Sequence, residues 1–330
     1  MDYITGVFEK FNSLNILIIG DVMMDAYIWG KVERISPEAP VPIVRVTKNE
    51  NRLGGAANVA LNILSLGANP IICSVIGDDT AGLGLLSLLD SSNLSKEGIL
   101  SIPGRPTTVK TRIIAHNQQI VRVDDETDSD ISDEGIFAMK NRIAEIISER
   151  NINAIIFEDY DKGLITEELI FFVVNLANQK GIITVVDPKK RNFNFYKDVS
   201  LFKPNLKELR EGLKAEIDPF SVTTIENAVD AVKEKLGAKN VMLTLSEHGV
   251  FISAENGHKL IPAHIRNIAD VSGAGDTVIA TAALCLASGL DIFNTATIAN
   301  LAGGLVCEHV GVVPIDKEQL LKEAKQVVSN

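Results

Sequence analysis

An aspartate at the start of a helix, behind a run of small residues, can take the proton from a hydroxyl that attacks a bound phosphoryl group. Asp270-Val271-Ser272-Gly273-Ala274-Gly275-Asp276-Thr277 has that layout, and the apolar stretch VIATAALCLASGL follows at once. Gly273, Ala274 and Gly275 leave backbone N–H groups uncovered at a helix start, where unpaired donors and the helix dipole attract an anion. Asp276 falls in the first turn, beside any phosphoryl group held there, in place to act as general base. A plain glycine turn with an aspartate cap would use the same letters.

A second small-residue element, Leu53-Gly54-Gly55-Ala56-Ala57-Asn58, also opens a helix. Bare backbone at Gly54 and Gly55 lets a polyhydroxylated ligand approach, and Asn58 offers both a donor and an acceptor. Asp21 and Asp25 follow the first apolar strand, where open α/β sheets bind ligands, and their carboxylates can accept sugar hydroxyls. Three more clusters follow candidate strands: Asp187 to Arg191, Lys203-Pro204-Asn205-Leu206-Lys207-Glu208, and Thr244-Leu245-Ser246-Glu247-His248-Gly249. Their Lys and Arg residues suit phosphate, Asn205 and Glu208 suit Mg²⁺ through water, and the Thr244 and Ser246 hydroxyls suit nucleotide phosphates. Helix caps and surface turns are the competing reading of each.

Other signals carry no chemistry. Gly77, Gly82 and Gly84 lack the spacing of a dinucleotide fingerprint, and no Gly-Lys-Ser/Thr phosphate loop occurs. The five histidines have no zinc-like spacing. Three separated cysteines describe no disulfide framework and suit a reducing cytoplasm.

Positioning these residues requires a layered scaffold. Short apolar runs at 15–20, 70–77, 153–159, 181–187, 199–204 and 240–246 read as strands of a parallel sheet covered on both faces. Between them, 58–66, 132–149, 166–179, 205–213 and 225–236 carry helical periodicity, while 276–288 is apolar on nearly every face and reads as a buried helix. Val41–Thr47 and Thr107–Asp124 alternate with period two instead, as half-exposed antiparallel strands do. They predict a small lid sheet on the α/β body, which makes the 330 residues one large unit with an inserted lid. The acidic run 124–134 reads as a solvated loop ending at a capped helix. With 32 Lys and Arg against 43 Asp and Glu, the net charge of −11 argues against nucleic-acid and anionic-membrane partners. No apolar stretch reaches the roughly 20 residues of a membrane span, and the amino terminus lacks a secretory pattern, so a soluble, cytoplasmic protein is expected.

The two glycine elements, in this order and separation, resemble the paired signatures of the ribokinase-like (PfkB) carbohydrate kinases. The resemblance is closest to the branch that acts on D-glycero-β-D-manno-heptose 7-phosphate in ADP-heptose and lipopolysaccharide inner-core synthesis. It runs from about Ile16 to Pro314 and is strongest at Gly20–Asp25, Arg34–Pro42, Gly54–Ala60 and Asn117–Gln119. It implies a ribokinase-like three-layer α/β sandwich with a mostly parallel central sheet, one kinase domain over 1–330, and lid strands inserted at about 38–50 and 105–125.

The resemblance further implies an ATP- and Mg²⁺-dependent kinase of a small sugar phosphate. Asp276 would be its base, and Gly273, Ala274 and Gly275 its anion hole. Asn205, Leu206, Lys207 and Glu208 would contact ATP and its magnesium, as would Thr244, Ser246 and Gly249, with Asn300 and Gly303 near the adenine. Asp21, Asp25, Gly54, Gly55 and Asn58 would contact the sugar, joined from the lid by Lys110, Asn117, Gln118 and Arg122. Lys162, Lys190, Arg191 and Arg34 are candidates for the sugar's own phosphate. Val312 and Val313 depart from the family pattern near its monovalent-cation site. Many relatives carry a fused nucleotidyltransferase with a His-x-Gly-His motif, absent from this sequence, which suits a stand-alone kinase. Unpaired lid edges predict a homodimer. Another sugar kinase and a non-catalytic sugar sensor are the alternatives.

Overall fold

The computed structural model describes residues 2–328 except Asn117 and Ile265. Its strands are β1 (Asn15–Gly20), β2 (Val22–Ile35), β3 (Pro42–Gly55), β4 (Asn69–Gly77), β5 (Gly98–Ile102), β6 (Val109–Ala115), β7 (Gln118–Asp125), β8 (Ala154–Glu158), β9 (Ile183–Asp187), β10 (Leu201–Phe202), β11 (Asn240–Thr244), β12 (Val250–Ala254) and β13 (Gly257–Ile261). The helices are α1 (Tyr3–Lys10), α2 (Ala56–Ser65), α3 (Thr80–Ser91), α4 (Asp133–Glu149), α5 (Glu167–Lys180), α6 (Leu206–Leu213), α7 (Val222–Leu236), α8 (Ala274–Ala287), α9 (Ile292–Val306) and α10 (Lys317–Val327).

Nine strands form the central sheet in the order β13-β12-β11-β10-β9-β8-β1-β4-β5. All neighbours are parallel except the β11–β12–β13 end, which is antiparallel. Two apolar cores, one on each face, make three layers. One joins α1, α2, α3, α8, α9 and α10 to the sheet through Ile16, Ile18 and Ile156, and the other joins α4, α5 and α7 through Leu17, Ile19 and Ile155. Alternate residues of one strand thus serve opposite layers, which is why these strands read as unbroken apolar runs. The chain leaves β1 toward β4 and β5, then returns to the other side at β8. The carboxyl ends of β1 and β8 therefore flank the switch point where open α/β sheets form a ligand crevice.

The smaller sheet has the order β3-β2-β6-β7. It holds four strands where the sequence pattern suggested two segments. The stretch 107–124 is a hairpin, and β2 has no counterpart in the expectation. Its first residues, Val22 to Asp25, are all buried where the strand leaves the body, and its register shifts at Gly30, so its period-two signal is broken. The edge strand β5, the β12–β13 hairpin and helices α1, α3, α9 and α10 also go beyond the elements read from the sequence.

Candidate active site

Gly273 caps α8 in the left-handed region at φ 78°, a conformation that glycine adopts at little cost. The turn delivers Asp276 into a buried position between the two glycine elements. Asn58 Nδ2, from the first turns of α2, donates to Asp276 Oδ2 at 2.6 Å, and the Tyr160 hydroxyl donates to Oδ1 at 3.1 Å. Segments 218 residues apart in sequence thus meet at one carboxylate. Burial pushes the Asp276 carboxyl up to about 6, while the two hydrogen bonds hold it down. The group is therefore ionised at neutral pH yet basic enough to accept a proton.

The switch point is stitched by Asp21. Its Oδ2 accepts from the Tyr160 and Lys162 amides at 2.9 and 3.1 Å, and Ala56 N donates to the Asp21 carbonyl. Burial, reinforced by Asp159, raises the Asp21 carboxyl to about 7. Asp21 consequently holds together the loop that carries Tyr160 and the start of α2. Asp25 lies inside β2 rather than in a loop, buried and ion-paired with Arg112 of β6. A Cβ on Gly54 would fall 2.4 Å from the Asp25 carboxylate, so glycine there makes room for it. Asn58 also lines a cavity of about 230 Å³ with Arg52, Leu53 and Val312. A larger hollow of about 890 Å³, between α4 and α5, is ringed by carboxylates and has only Lys197 as a cation, so it suits no phosphate.

Beneath the α8 turn lies a charged floor. Lys203 Nζ pairs with Asp187 Oδ2 at 2.8 Å, and both are buried. A Cβ on Gly275 would stand 3.7 Å from Asp187 Oδ2 and 4.0 Å from Lys203 Nζ, which places the pair directly under the turn. Lys189 Nζ lies 2.7 Å from Glu208 Oε1 and over the Tyr160 ring. Nearby carboxylates hold both lysines above the usual ammonium range despite burial.

Asn205 and Glu208 form a capping box on α6, with Asn205 Oδ1 accepting from the Glu208 amide and Glu208 Oε2 accepting from the Asn205 amide. Both residues thus cap α6, which leaves the nucleotide role open to them, and Glu208 reaches the site through Lys189. Leu206 is half-buried and Lys207 exposed. Thr244 bridges to Asn205, which brings two of the three clusters together at the sheet edge. Ser246 is exposed, and Gly249 is required where a Cβ would strike the Ile261 carbonyl. Asn300 donates to the Pro262 carbonyl, and Gly303 lets α9 approach Val278 of α8.

On the lid, Lys110 lies 2.6 Å from Glu126, which Lys162 of the body also reaches at 2.8 Å. Glu126 gives the acidic run a second task, tying lid to body. Gln118 and Arg122 lie on β7, all of whose residues are exposed, and Arg122 pairs with Asp124. Asn117 lies outside the described residues. Arg34 is exposed toward the far end of β2, and Arg191 pairs with Asp130. Tyr160, Glu158 and Arg112 escaped the sequence reading. Only their position after β8, at its end, or on an alternating strand could have flagged them.

The model of the pfkB family carbohydrate kinases matches residues 13–318. The chain belongs to that family. "Bifunctional protein HldE" of Wolinella succinogenes is 40% identical over 297 residues, which cover 90% of this chain and 61% of that protein. The protein of the same name from Helicobacter hepaticus is 37% identical over 318 residues, 96% of this chain and 65% of that one. This pfkB-family kinase thus spans less than two thirds of the length of these relatives. Among solved structures, it superposes on phosphofructokinase-2 from Escherichia coli in complex with potassium with a TM-score of 0.78 at 18% identity, covering 95% of this chain and 98% of that one. Ribokinase of Arabidopsis thaliana complexed with ribose and ATP gives 0.70 at 17% identity, covering 94% and 99%. These similarities establish the ribokinase-like fold. No helix among the described residues is long and apolar enough to cross a membrane.

Proposed function

We propose that this carbohydrate kinase transfers the γ-phosphoryl group of ATP to the anomeric hydroxyl of D-glycero-D-manno-heptose 7-phosphate. The observation that carries the transfer chemistry is the Asn58–Asp276–Tyr160 cluster at the start of α8. The sugar hydroxyl forms a bond to the γ-phosphorus as the bond to the ADP oxygen breaks, and its proton passes to Asp276. Backbone N–H groups of the Gly273–Asp276 turn, with Lys203 beneath, offset the charge on the moving phosphoryl oxygens. Asp21 holds the crevice walls at their spacing, which fixes the approach of the hydroxyl to the base.

Magnesium fits the site, because the Glu158 oxygens are buried without a partner beside Asp187, and one or two such carboxylates would hold the cation together with waters and phosphates. When bound with the nucleotide, it supplies charge neutralisation at the phosphate oxygens. The heptose assignment rests on the residue runs Gly20–Asp25, Arg34–Pro42 and Gly54–Ala60, and on the similarity to the proteins called HldE. Lys110, Arg112 and Lys162, at the junction of lid and body, are the cations best placed for the sugar's own phosphate; Lys110 and Lys162 share Glu126.

A coupled ADP-release assay across phosphorylated sugars tests the reading, with turnover expected to be fastest on the heptose phosphate. Equal rates on fructose 6-phosphate would refute the heptose claim and leave the kinase. Binding of sugar phosphate without ATP consumption would refute catalysis itself. The same reading includes a cytoplasmic homodimer joined through the lid, where Ile28, Ile113 and Val121 stand side by side and Val46 and Val123 are exposed. Light scattering at micromolar concentration is expected to give twice the chain mass.

A further inference from the structure

Tyr160 reaches Asp276 from a loop whose shape the chain does not favour locally. Asp161 stands in the left-handed region at φ 55°, and Gly163 follows at φ 83°, where a Cβ would fall 1.9 Å from the Ser129 carbonyl oxygen. A non-glycine residue in that region costs free energy and persists only where its surroundings over-determine the backbone. Three consecutive amides of the loop are each committed to a carboxylate. Tyr160 and Lys162 donate to Asp21 Oδ2 at 2.9 and 3.1 Å, and Asp161 donates to Asp159 Oδ1 at 2.9 Å. Asp21 belongs to the crevice; Asp159 is tied to the opposite layer.

Asp159 has no exposed surface. Its Oδ2 accepts from the Tyr196 hydroxyl at 2.7 Å and from Asn192 Nδ2 at 3.0 Å, and Asn192 Nδ2 also donates to the Ile165 carbonyl at 2.9 Å. Tyr196 is fully buried in the core on the α4, α5 and α7 face, its ring centroid 5.5 Å from that of Phe157. Burial, and then the charge of Asp159, push the Tyr196 hydroxyl well above its ordinary range, so it remains a donor. Helix α8, which carries Asp276, packs in the core on the other face. The loop is thus gripped from both sides of the sheet. A close-packed core holds its side chains in fixed rotamers, so Tyr196 gives Asp159, and through it the loop, a fixed position. The bond from Tyr160 to Asp276, at 3.1 Å, is already long for O–H···O, so a small displacement of the loop would break it.

We propose that Asp159 is a positioning residue: anchored by Tyr196 and Asn192, it holds the loop so that the Tyr160 hydroxyl stays on Asp276. That Asp276 takes the proton rests on the reading above; that the anchor holds Tyr160 in place does not. Around Asp276 stand Asn58 of α2, Glu158 at the end of β8, Asp187 at the end of β9 and Lys203 just beyond β10. The substitutions that test the anchor change none of them.

The test is the titration of Asp276 by carboxyl-carbon NMR in the ligand-free protein, its signal assigned from Asp276→Asn. Asp159→Asn is expected to raise the midpoint by about half a pH unit or more, because the charged form loses its Tyr160 donor. The sign decides between causes, since removing a negative charge acting through space alone would lower the midpoint. Tyr196→Phe removes one hydroxyl and no charge; it should move the midpoint less, in the same direction, and it decides if Asp159→Asn fails to fold. In a Tyr160→Phe background neither substitution should add to the shift, because effects carried through one residue are not additive. A midpoint that falls or stays put in both variants would overturn the proposal, as would a full additional shift in the Tyr160→Phe background. If the midpoint rises while the acid limb of kcat/KM stays where it was, the anchor stands and the assignment of Asp276 as the base falls.

Discussion

Asp276 and Arg122 were both expected at one site, yet the molecule treats them in opposite ways. Asp276 is buried and takes hydrogen bonds from two other segments, while Arg122 lies on an exposed edge strand and pairs with Asp124, two residues away on the same strand. The contrast extends to their surroundings. The body side is fixed before any ligand arrives, because Asp21, Asn58 and Tyr160 are mutually held by backbone and side-chain bonds. The lid side is held by ion pairs at its rim, Lys110 and Lys162 on Glu126 among them. Fixed groups suit chemistry, which tolerates little misplacement, and rim ion pairs suit a sheet that must admit and release a sugar. Breaking residues on each side separates the two roles.

The largest expected effect is on the body side. Asp276→Asn removes the proton acceptor and keeps the shape, so kcat should fall by about 10³-fold or more, within the reach of general-base catalysis and loss of its charge. Nucleotide affinity, measured by calorimetry, should stay within a few-fold. Near-normal turnover would show that another group takes the proton.

On the lid side the largest effect should come from Arg112. Its partner Asp25 is buried, so Arg112→Ala leaves a charge without its counter-ion at the inner end of the lid. The expectation is a sugar KM raised by about tenfold or more with kcat changed far less, read from steady-state kinetics. An equal fall in kcat with unchanged KM would place Arg112 with the fixed groups and dissolve the contrast. Gln118→Ala and Arg122→Ala should each change kcat/KM by less than about twofold, since exposed pairs contribute little.

How much of this was readable beforehand follows the same division. The α8 turn was legible because small residues before an aspartate at a helix start have few uses, and Gly273 indeed adopts positive φ there. Asn58 was legible for its place after two glycines, though nothing in its spacing announced that its amide would meet Asp276. Asn205 and Glu208 look like ligands in sequence and also form a capping box in space, since both purposes select the same residue types three apart. Arg112 and Glu158 were hidden. A cation on an alternating strand resembles any solvated face, and one glutamate ending an apolar run resembles a strand terminus. Only the sheet register places Glu158 beside Asp187, and that register depends on contacts between strands far apart in sequence.

The smallest effect tests the body side most finely. Asp276 is raised to about 6 by burial, and the bonds from Asn58 and Tyr160 favour its charged form. As the acceptor must be ionised, kcat/KM should fall about tenfold per pH unit below roughly pH 6 and level off above it. Tyr160→Phe deletes one stabilising donor, so the carboxyl rises and the acid limb moves to higher pH, with the plateau rate little altered. Asn58→Ala deletes the shorter bond, at 2.6 Å against 3.1 Å, and should move the limb further in the same direction. A pH–rate profile for the three proteins checks both the sign and the order. A limb that stays put in both variants would mean that the titrating group is another residue, with Asp21, raised to about 7 in the same crevice, the next to replace.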